Sequence, residues 1–352
     1  MSNNELTLTI DGAQVAVPQG STIFEAALAA GINIPHLCYD PCLGLPPSSS
    51  CRLCVVEVEG ARAPAASCSH PAAEGMVVRT DTEELRNIRR MVIELLLSDH
   101  PHDCATCDLS GGCALQEYAY EFGVRERHAA TSAAPRPEPD APTVLYDRSK
   151  CILCGRCVEV CQSIQEAGAI DFFGRGFATE ISLPPGRSRE DSDCELCGNC
   201  VAVCPTGAVS GNRMTGLVTA KKVRTTCGYC GVGCQFDLNV KDGRVVGVTS
   251  APDAPVNGRW LCVKGRFGYE FMSHPDRLTT PLIRRDGELQ PATWDEALDY
   301  TARRLTEIKA ANGPDALAFI SSSRCTNEEN YLAQKIARAA FGTNNVDQCA
   351  RT

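Results

Sequence analysis

Cysteine spacing is the strongest constraint on what this chain can fold into. Its 352 residues include 22 cysteines. Eight of them form two runs of one pattern, Cys151-x2-Cys154-x2-Cys157-x3-Cys161 and Cys194-x2-Cys197-x2-Cys200-x3-Cys204-Pro205. Thiols clustered in this way are disulfides in an oxidising compartment and metal ligands in a reducing one. The opening Met1-Ser2-Asn3-Asn4-Glu5 has neither the basic nor the apolar region of a secretory leader, so a reducing cytoplasm is the expected setting. Two tandem four-thiol runs then point to iron–sulfur clusters, with a pair of zinc knuckles as the rival metal reading.

The repeated run resembles the bacterial two-cluster ferredoxin, in which the fourth cysteine of each run crosses to the other cluster. That resemblance implies one 4Fe-4S cluster held by Cys151, Cys154, Cys157 and Cys204, and a second held by Cys161, Cys194, Cys197 and Cys200. Further along, Cys227, Cys230, Cys234 and Cys262 are spaced C-x2-C-x3-C-x27-C. Gly228, Gly231 and Gly233 let the backbone there wrap closely around a bulky inorganic core, which suits another 4Fe-4S cluster. This motif resembles the iron–sulfur domain of molybdenum or tungsten bis-pterin oxidoreductases, the formate dehydrogenase group in particular. Resemblance to the catalytic subunit of NAD-linked formate dehydrogenases extends over essentially the whole chain.

The N-terminal part reads as a β-hairpin, with Leu6, Leu8 and Ile10 alternating, a turn at Asp11-Gly12, and Val15 and Val17 resuming the alternation. A helix follows, opened by a Thr22/Glu25 capping box and stopped at Gly31. Hairpin, helix and then Cys38, Cys51, Cys54 and Cys68 resemble the β-grasp 2Fe-2S ferredoxin domain of complex I large subunits. The resemblance implies those four cysteines as ligands. The gap from Cys38 to Cys51 is about two residues longer than in that family, and Cys42 within it is an alternative to Cys38. From Thr82 to Ser98, Leu85, Ile88, Val92 and Leu95 or Leu96 fall at helical spacing. Next, His100, Cys104, Cys107 and Cys113 resemble the His-ligated 4Fe-4S site of the same families. His102 is a weaker candidate for the imidazole, and zinc is the alternative metal. A small-residue and proline-rich stretch at 129–142 reads as a tether.

Lys264, just after Cys262, occupies the position of a lysine that in the resembled enzymes lies between cluster and pterin; without that resemblance it reads as an exposed loop charge. Strand Leu317–Ile320, a polar loop and a helix from Asn327 to Ala340 form a βα unit of the kind that holds nucleotides at the strand's carboxyl end. Ser323, Arg324, Cys325, Asn327 and Asn330 match the family's first contact loop for a pterin guanine dinucleotide. The resemblance adds Asn344, Asn345 and Asp347 to those contacts. It also implies that the metal-binding cysteine or selenocysteine, followed by the catalytic histidine, falls immediately after Thr352. No catalytic residue is therefore expected within the chain, and Cys349 is read as a companion of the ligand. The expectation is an in-frame UGA selenocysteine codon read as stop, with an arbitrary truncation as the alternative.

The expected architecture is therefore a multidomain α+β chain: a β-grasp 2Fe-2S domain (1–80), a His-ligated 4Fe-4S domain (81–128), a linker (129–142), a two-cluster ferredoxin (143–215), a molybdopterin-oxidoreductase 4Fe-4S domain (220–276) and the start of a pterin-binding α/β domain (277–352). The cofactors expected are one 2Fe-2S cluster, four 4Fe-4S clusters and, in the full-length enzyme, a molybdenum or tungsten bis-molybdopterin guanine dinucleotide. Cys42, Cys325 and Cys349 remain over. The implied function is the electron-transfer arm of a formate dehydrogenase that converts formate to carbon dioxide. Its implied partners are a flavin/NAD-binding subunit and a small 2Fe-2S subunit, and this chain alone is expected to be inactive. A non-catalytic subunit resembling the large peripheral subunit of complex I, an iron-only hydrogenase arm and a zinc-rich binding module are the alternatives. The net charge of -9 argues against a nucleic-acid surface, and no apolar run reaches the roughly 20 residues of a membrane span.

Overall fold

The computed structural model describes residues 5–101, 103–107, 109–124, 143–185, 187–188, 191–211 and 221–348. The tether at 129–142, His102 and Cys349 lie outside the described residues. The chain divides into two compact units. One comprises Met1–Lys222, Leu238–Thr249 and Trp260–Arg266, and the other Val223–Asp237, Ser250–Arg259 and Phe267–Thr352.

Period-two burial builds the first sheet. Leu6, Leu8 and Ile10 of β1 (Glu5–Ile10) and Val15 and Val17 of β2 (Ala13–Pro18) are buried, with exposed or half-buried neighbours between them. Asp11 and Gly12 lie at φ 48° and 85°, the left-handed pair that matches a two-residue turn to strand twist. Helix α1 (Ile23–Ala29) starts from the Thr22/Glu25 capping box and gives Ile23, Phe24, Ala26 and Ala27 to the core. Strands β3 (Val55–Val58), β4 (Ala65–Ala66) and β5 (Val77–Arg79) complete a five-stranded sheet of order β2-β1-β5-β3-β4, with β5 parallel to β1. This mixed sheet with its helix is the β-grasp.

Helix α2 (Glu83–Ser98) begins at the Thr82 cap, and its buried stripe keeps Leu85 but beyond it is centred one residue further on, with Ile88, Val92 and Leu96 half-buried beside it. Leu85, Arg89, Ile93 and Leu97 face inward, and Leu95 is 66% exposed. The cause is Arg89, whose Nε and Nη2 donate to the carbonyls of Leu53 and Val55 at 3.2 and 2.8 Å. Helix α3 (Ala114–Glu121) packs Leu115 and Ala119 into the same core as Leu37, Leu53, Ile93 and Leu97.

The next segment contains β6 (Val144–Tyr146), α4 (Arg156–Glu159), β7 (Asp171–Phe173), β8 (Glu180–Ser182), α5 (Asn199–Val203) and β9 (Val209–Gly211). Besides the antiparallel pairs β6–β9 and β7–β8 it holds two short helices, each set within one cysteine run. Beyond them come β10 (Lys221–Thr226), β11 (Gln235–Lys241), β12 (Arg244–Ser250) and α6 (Val263–Phe267). The hairpin β13 (Leu282–Arg285) and β14 (Glu288–Pro291) leads into α7 (Trp294–Asn312), which starts at a Thr293/Glu296 capping box. Then follow β15 (Phe319–Ser321), α8 (Asn327–Lys335) and β16 (Val346–Gln348), with β15 and β16 parallel. Strand β16 was not evident from the sequence. Among the described residues no helix is long and apolar enough to cross a membrane.

Candidate iron–sulfur centres

Four thiols converge at the loop beside the β-grasp sheet. The Cys38 thiol is hydrogen-bonded with those of Cys51 and Cys68, and Cys68 with that of Cys54. Backbone N–H groups of Cys51 and Leu53 donate to the sulfurs of Cys38 and Cys51, both at 3.5 Å, and Ser49 Oγ lies 3.6 Å from Cys68 Sγ. These hydrogen bonds, from Cys51 first and then Cys68, hold the Cys38 thiol far below the usual range. The bond with Cys68 brings Cys54 down to about 6, whereas Cys51 and Cys68 are pushed up, each chiefly by its bond with Cys38. Cys42 stands outside this set and is exposed. The longer loop around it has a packing role. Leu43 and Leu45 bury against Val160 and Val203, Asp40 pairs with Arg156 at 2.5 Å, and Ser48 Oγ donates to the Cys154 carbonyl at 2.9 Å.

At the end of α2, buried His100 lines a cavity of about 370 Å³ together with Cys104, Cys113 and Gln116. Burial is the main cause raising the Cys113 thiol pKa. Cys107 is half-buried in the adjoining turn, where its N–H donates to the Cys104 carbonyl at 3.4 Å.

The two ferredoxin-type runs fold alike. Leu153 and Leu196 have φ of 51° and 54°, and Gly155 and Gly198 have φ of 76° and 73°. A leucine in the left-handed region costs about 1–2 kcal/mol, and its recurrence at equivalent positions marks an enforced wrap that turns N–H groups inward. Cys161, from the first run, lines a cavity of about 40 Å³ with Cys194, Cys197 and Cys200 of the second. Cys204 in turn acts on the other site, as the largest charge effect raising the thiols of Cys151 and Cys154. Burial pushes Cys154 up to about 12 and raises Cys157 strongly, so neither thiol ionises at neutral pH without a compensating cation. Backbone N–H groups of Leu153, Ala169 and Val209 donate to Cys151, Cys161 and Cys204 sulfur at 3.4, 3.3 and 3.4 Å. Tyr146 adds a hydroxyl contact to Cys151. Thiols gathered in groups of four and supplied with N–H···S bonds fit iron–sulfur clusters by donor chemistry. Among the described residues, no three Cys, His, Asp or Glu stand close enough to hold a single ion.

In the second unit, the Cys227 N–H donates to the Cys234 carbonyl at 2.7 Å, closing the loop that carries Cys230. Tyr229 anchors the loop by donating its hydroxyl to the Gly268 carbonyl and stacking edge-on to Phe271. A side chain added at Gly231 would meet the Ser323 carbonyl oxygen at 3.8 Å, which brings the cysteine loop beside the polar loop after β15. Cys262 belongs to the first unit, exposed one residue before α6, and Lys264 on that helix is exposed as well.

Parallel pairing of Ile320 with Asp347 and Ser321 with Gln348 puts the ends of β15 and β16 at one edge. Asn330, near the start of α8, organises the β15–α8 loop. Its Nδ2 donates to the carbonyls of Ser322, Cys325 and Thr326, and its Oδ1 accepts from the Ser321 hydroxyl. Asn345 likewise donates to the carbonyls of Asp315 and Leu317, and Asn344 accepts from Arg338 Nε at 2.9 Å. Arg324, Cys325, Asn327 and Asp347 are exposed, and Ser323 is half-buried.

Five family descriptions match in series. These are a 2Fe-2S iron–sulfur cluster binding domain (3–83), the NADH-ubiquinone oxidoreductase-G iron–sulfur binding region (89–128), the NADH-quinone oxidoreductase subunit 3 ferredoxin-like domain (141–210), the molybdopterin oxidoreductase Fe4S4 domain (220–274) and molybdopterin oxidoreductase (277–352). Residues 220–274 and 277–352 are thus similar to molybdopterin oxidoreductases. Residues 89–128 and 141–210 are similar to iron–sulfur regions of NADH-quinone oxidoreductases. Over 98% of its length the chain is 39% identical to an NADPH-Fe(3+) oxidoreductase subunit alpha of Geobacter sulfurreducens, 36% to an NADH-quinone oxidoreductase subunit of Streptomyces coelicolor and 32% to a putative formate dehydrogenase of Staphylococcus aureus. It spans about 40% of the length of these relatives. A chain of an NAD+-reducing [NiFe]-hydrogenase crystal structure aligns with a TM-score of 0.56 and 34% identity, over 60% of this chain and 89% of its own.

The sequence did not single out Ser48, Arg89, Asn199 or Arg266. Each is a polar residue whose role depends on partners far away in the chain, which leaves no local signal.

Proposed function

We propose that the chain is the iron–sulfur arm and initial pterin-binding region of a formate dehydrogenase that delivers electrons to a flavin/NAD-binding subunit, with a small 2Fe-2S subunit as a further partner. The observation that carries this reading is the exchange of cysteines between the two ferredoxin-type runs, with Cys161 lining the cavity of Cys194, Cys197 and Cys200. We assign one 2Fe-2S cluster to Cys38, Cys51, Cys54 and Cys68. Four 4Fe-4S clusters go to His100/Cys104/Cys107/Cys113, Cys151/Cys154/Cys157/Cys204, Cys161/Cys194/Cys197/Cys200 and Cys227/Cys230/Cys234/Cys262. When bound, these groups supply one-electron redox capacity and the pterin-held metal of the full protein supplies the two-electron chemistry on formate. The chain's own residues bury or half-bury all the assigned cysteines but Cys230 and Cys262, donate N–H groups to several of their sulfurs, and shape the β15–α8 loop for a nucleotide. Formate is favoured by the Staphylococcus relative and by resemblance around Lys264 and Asn344–Asp347. The Geobacter relative favours a second reading, a subunit that takes electrons from a nicotinamide nucleotide.

Anaerobic reconstitution of the 352-residue chain should give a brown protein with about 18 iron atoms and matching sulfide, and no formate-dependent dye reduction. A colourless chain loaded with zinc overturns the cluster assignment. Formate-dependent dye reduction by this chain alone refutes the expected division between arm and catalytic centre. In the full-length complex, formate should drive dye and NAD reduction. Reduction driven by NADPH with no response to formate supports the second reading instead.

A further inference from the structure

Among the described residues the bulkiest fully buried side chain belongs to a cation, Arg266, which is 1% exposed. Its Nε donates to the Cys197 carbonyl at 3.1 Å and its Nη2 to Asn199 Oδ1 at 3.1 Å. Asn199, itself buried, also accepts from the Leu261 N–H at 3.3 Å and donates to Gln165 Oε1 at 3.0 Å. Gln165 in turn donates to Glu195 at 2.5 Å. One network therefore joins the second cysteine run, and Gln165 just past the first, to the backbone just before Cys262, and one turn of helix separates Cys262 from Arg266, whose N–H donates to the Cys262 carbonyl at 3.0 Å.

Enclosing a guanidinium is strongly unfavourable unless anionic charge lies close by. Burial lowers the pKa of Arg266 to about 10, so it stays charged at neutrality, and the thiolates of Cys197, Cys200 and Cys262 act in the opposite direction. Lys264, two residues earlier, is exposed and lacks this position. We propose that Arg266 is a positioning residue whose fixed charge raises the reduction potential of the centre at Cys161, Cys194, Cys197 and Cys200. Asn199 holds it in place. The inference rests on the cluster assignment above. Reduction of that centre adds one electron, taken from dithionite in the experiment below, and a buried cation nearby favours the more negative form.

The test is an EPR-monitored dithionite titration of the reconstituted full chain, with the signal assigned through Cys200→Ser. For Arg266→Gln the reduced-to-oxidised ratio at fixed solution potential should fall about tenfold or more, the order expected when one nearby buried charge is removed at an effective dielectric near 20. Arg266→Lys, which keeps the charge, should stay within about threefold of the unsubstituted chain. An unchanged ratio in Arg266→Gln overturns the proposal, as does an equal fall in both variants. If Arg266→Gln does not assemble the centre, Arg266→Lys decides: retention of the ratio supports the proposal and a tenfold fall overturns it. Absence of iron in the unsubstituted chain removes the cluster assignment and this inference with it. A loaded chain with unmoved potentials removes only the inference.

Discussion

Replacing Arg89 with Met should loosen the loop that carries Cys51 and Cys54 without unfolding the protein. Arg89 is 2% exposed and gives two charge-assisted hydrogen bonds, to the carbonyls of Leu53 and Val55. Bonds of this kind contribute about 1.5–3 kcal/mol each. Burial pulls the Arg89 pKa below its ordinary value, so removing the guanidinium also relieves a desolvation cost. Methionine fills much of the vacated volume with apolar atoms. The net loss is about 3 kcal/mol, equivalent to roughly 100-fold in a local opening equilibrium. Hydrogen exchange read by mass spectrometry on peptides spanning 51–58 should show that acceleration, with peptides from α7 unchanged. Arg86→Met is the control. Its pairing with Asp81 is more than half exposed on both sides, so it should change exchange by less than about threefold. Arg89→Met that folds and exchanges at the original rate would refute the claim that Arg89 pins this loop.

Cys38→Ser should remove or alter the 2Fe-2S absorption and EPR signal, and Cys42→Ser should leave both intact; the reverse pattern reassigns the ligand. Gly174→Ala should destabilise the β7–β8 hairpin by more than about 2 kcal/mol, because φ is 77° and the new carbon would collide with the Ala178 carbonyl oxygen; exchange across 171–182 reads it out. Thr293→Ala should cost about 1 kcal/mol through loss of the capping box and fray the start of α7, visible as faster exchange at residues 294–298.

What the sequence made legible was local. Alternation at Leu6, Leu8 and Ile10 located β1, and Thr22 with Glu25 located the start of α1, because period and capping act within a few residues. Resemblance to a two-cluster ferredoxin likewise implied Cys161 with Cys194, Cys197 and Cys200 as a candidate set, and the structure brings these four around one cavity. Long-range pairing was not legible. Strand β16 is three residues long and is defined by Phe319, Ile320 and Ser321 across from it. The α2 stripe departs from its apolar spacing because an arginine is ordinarily assigned to water, and only the carbonyls of a distant loop reverse that assignment. Asn330 and Asn345 resembled ligand contacts, yet much of their amide capacity is engaged in shaping their own loops.

Cys161 of the first run lines the cavity of Cys194, Cys197 and Cys200 in the second, and under the assignment proposed above Cys204 returns the exchange, which would link the fates of the two halves. On that assignment neither half could be assembled or lost by itself, since each would lend the other its final fastening. An oxidant that strips one centre should therefore bring down its twin, and cells would meet such damage as a single event rather than a gradual dimming.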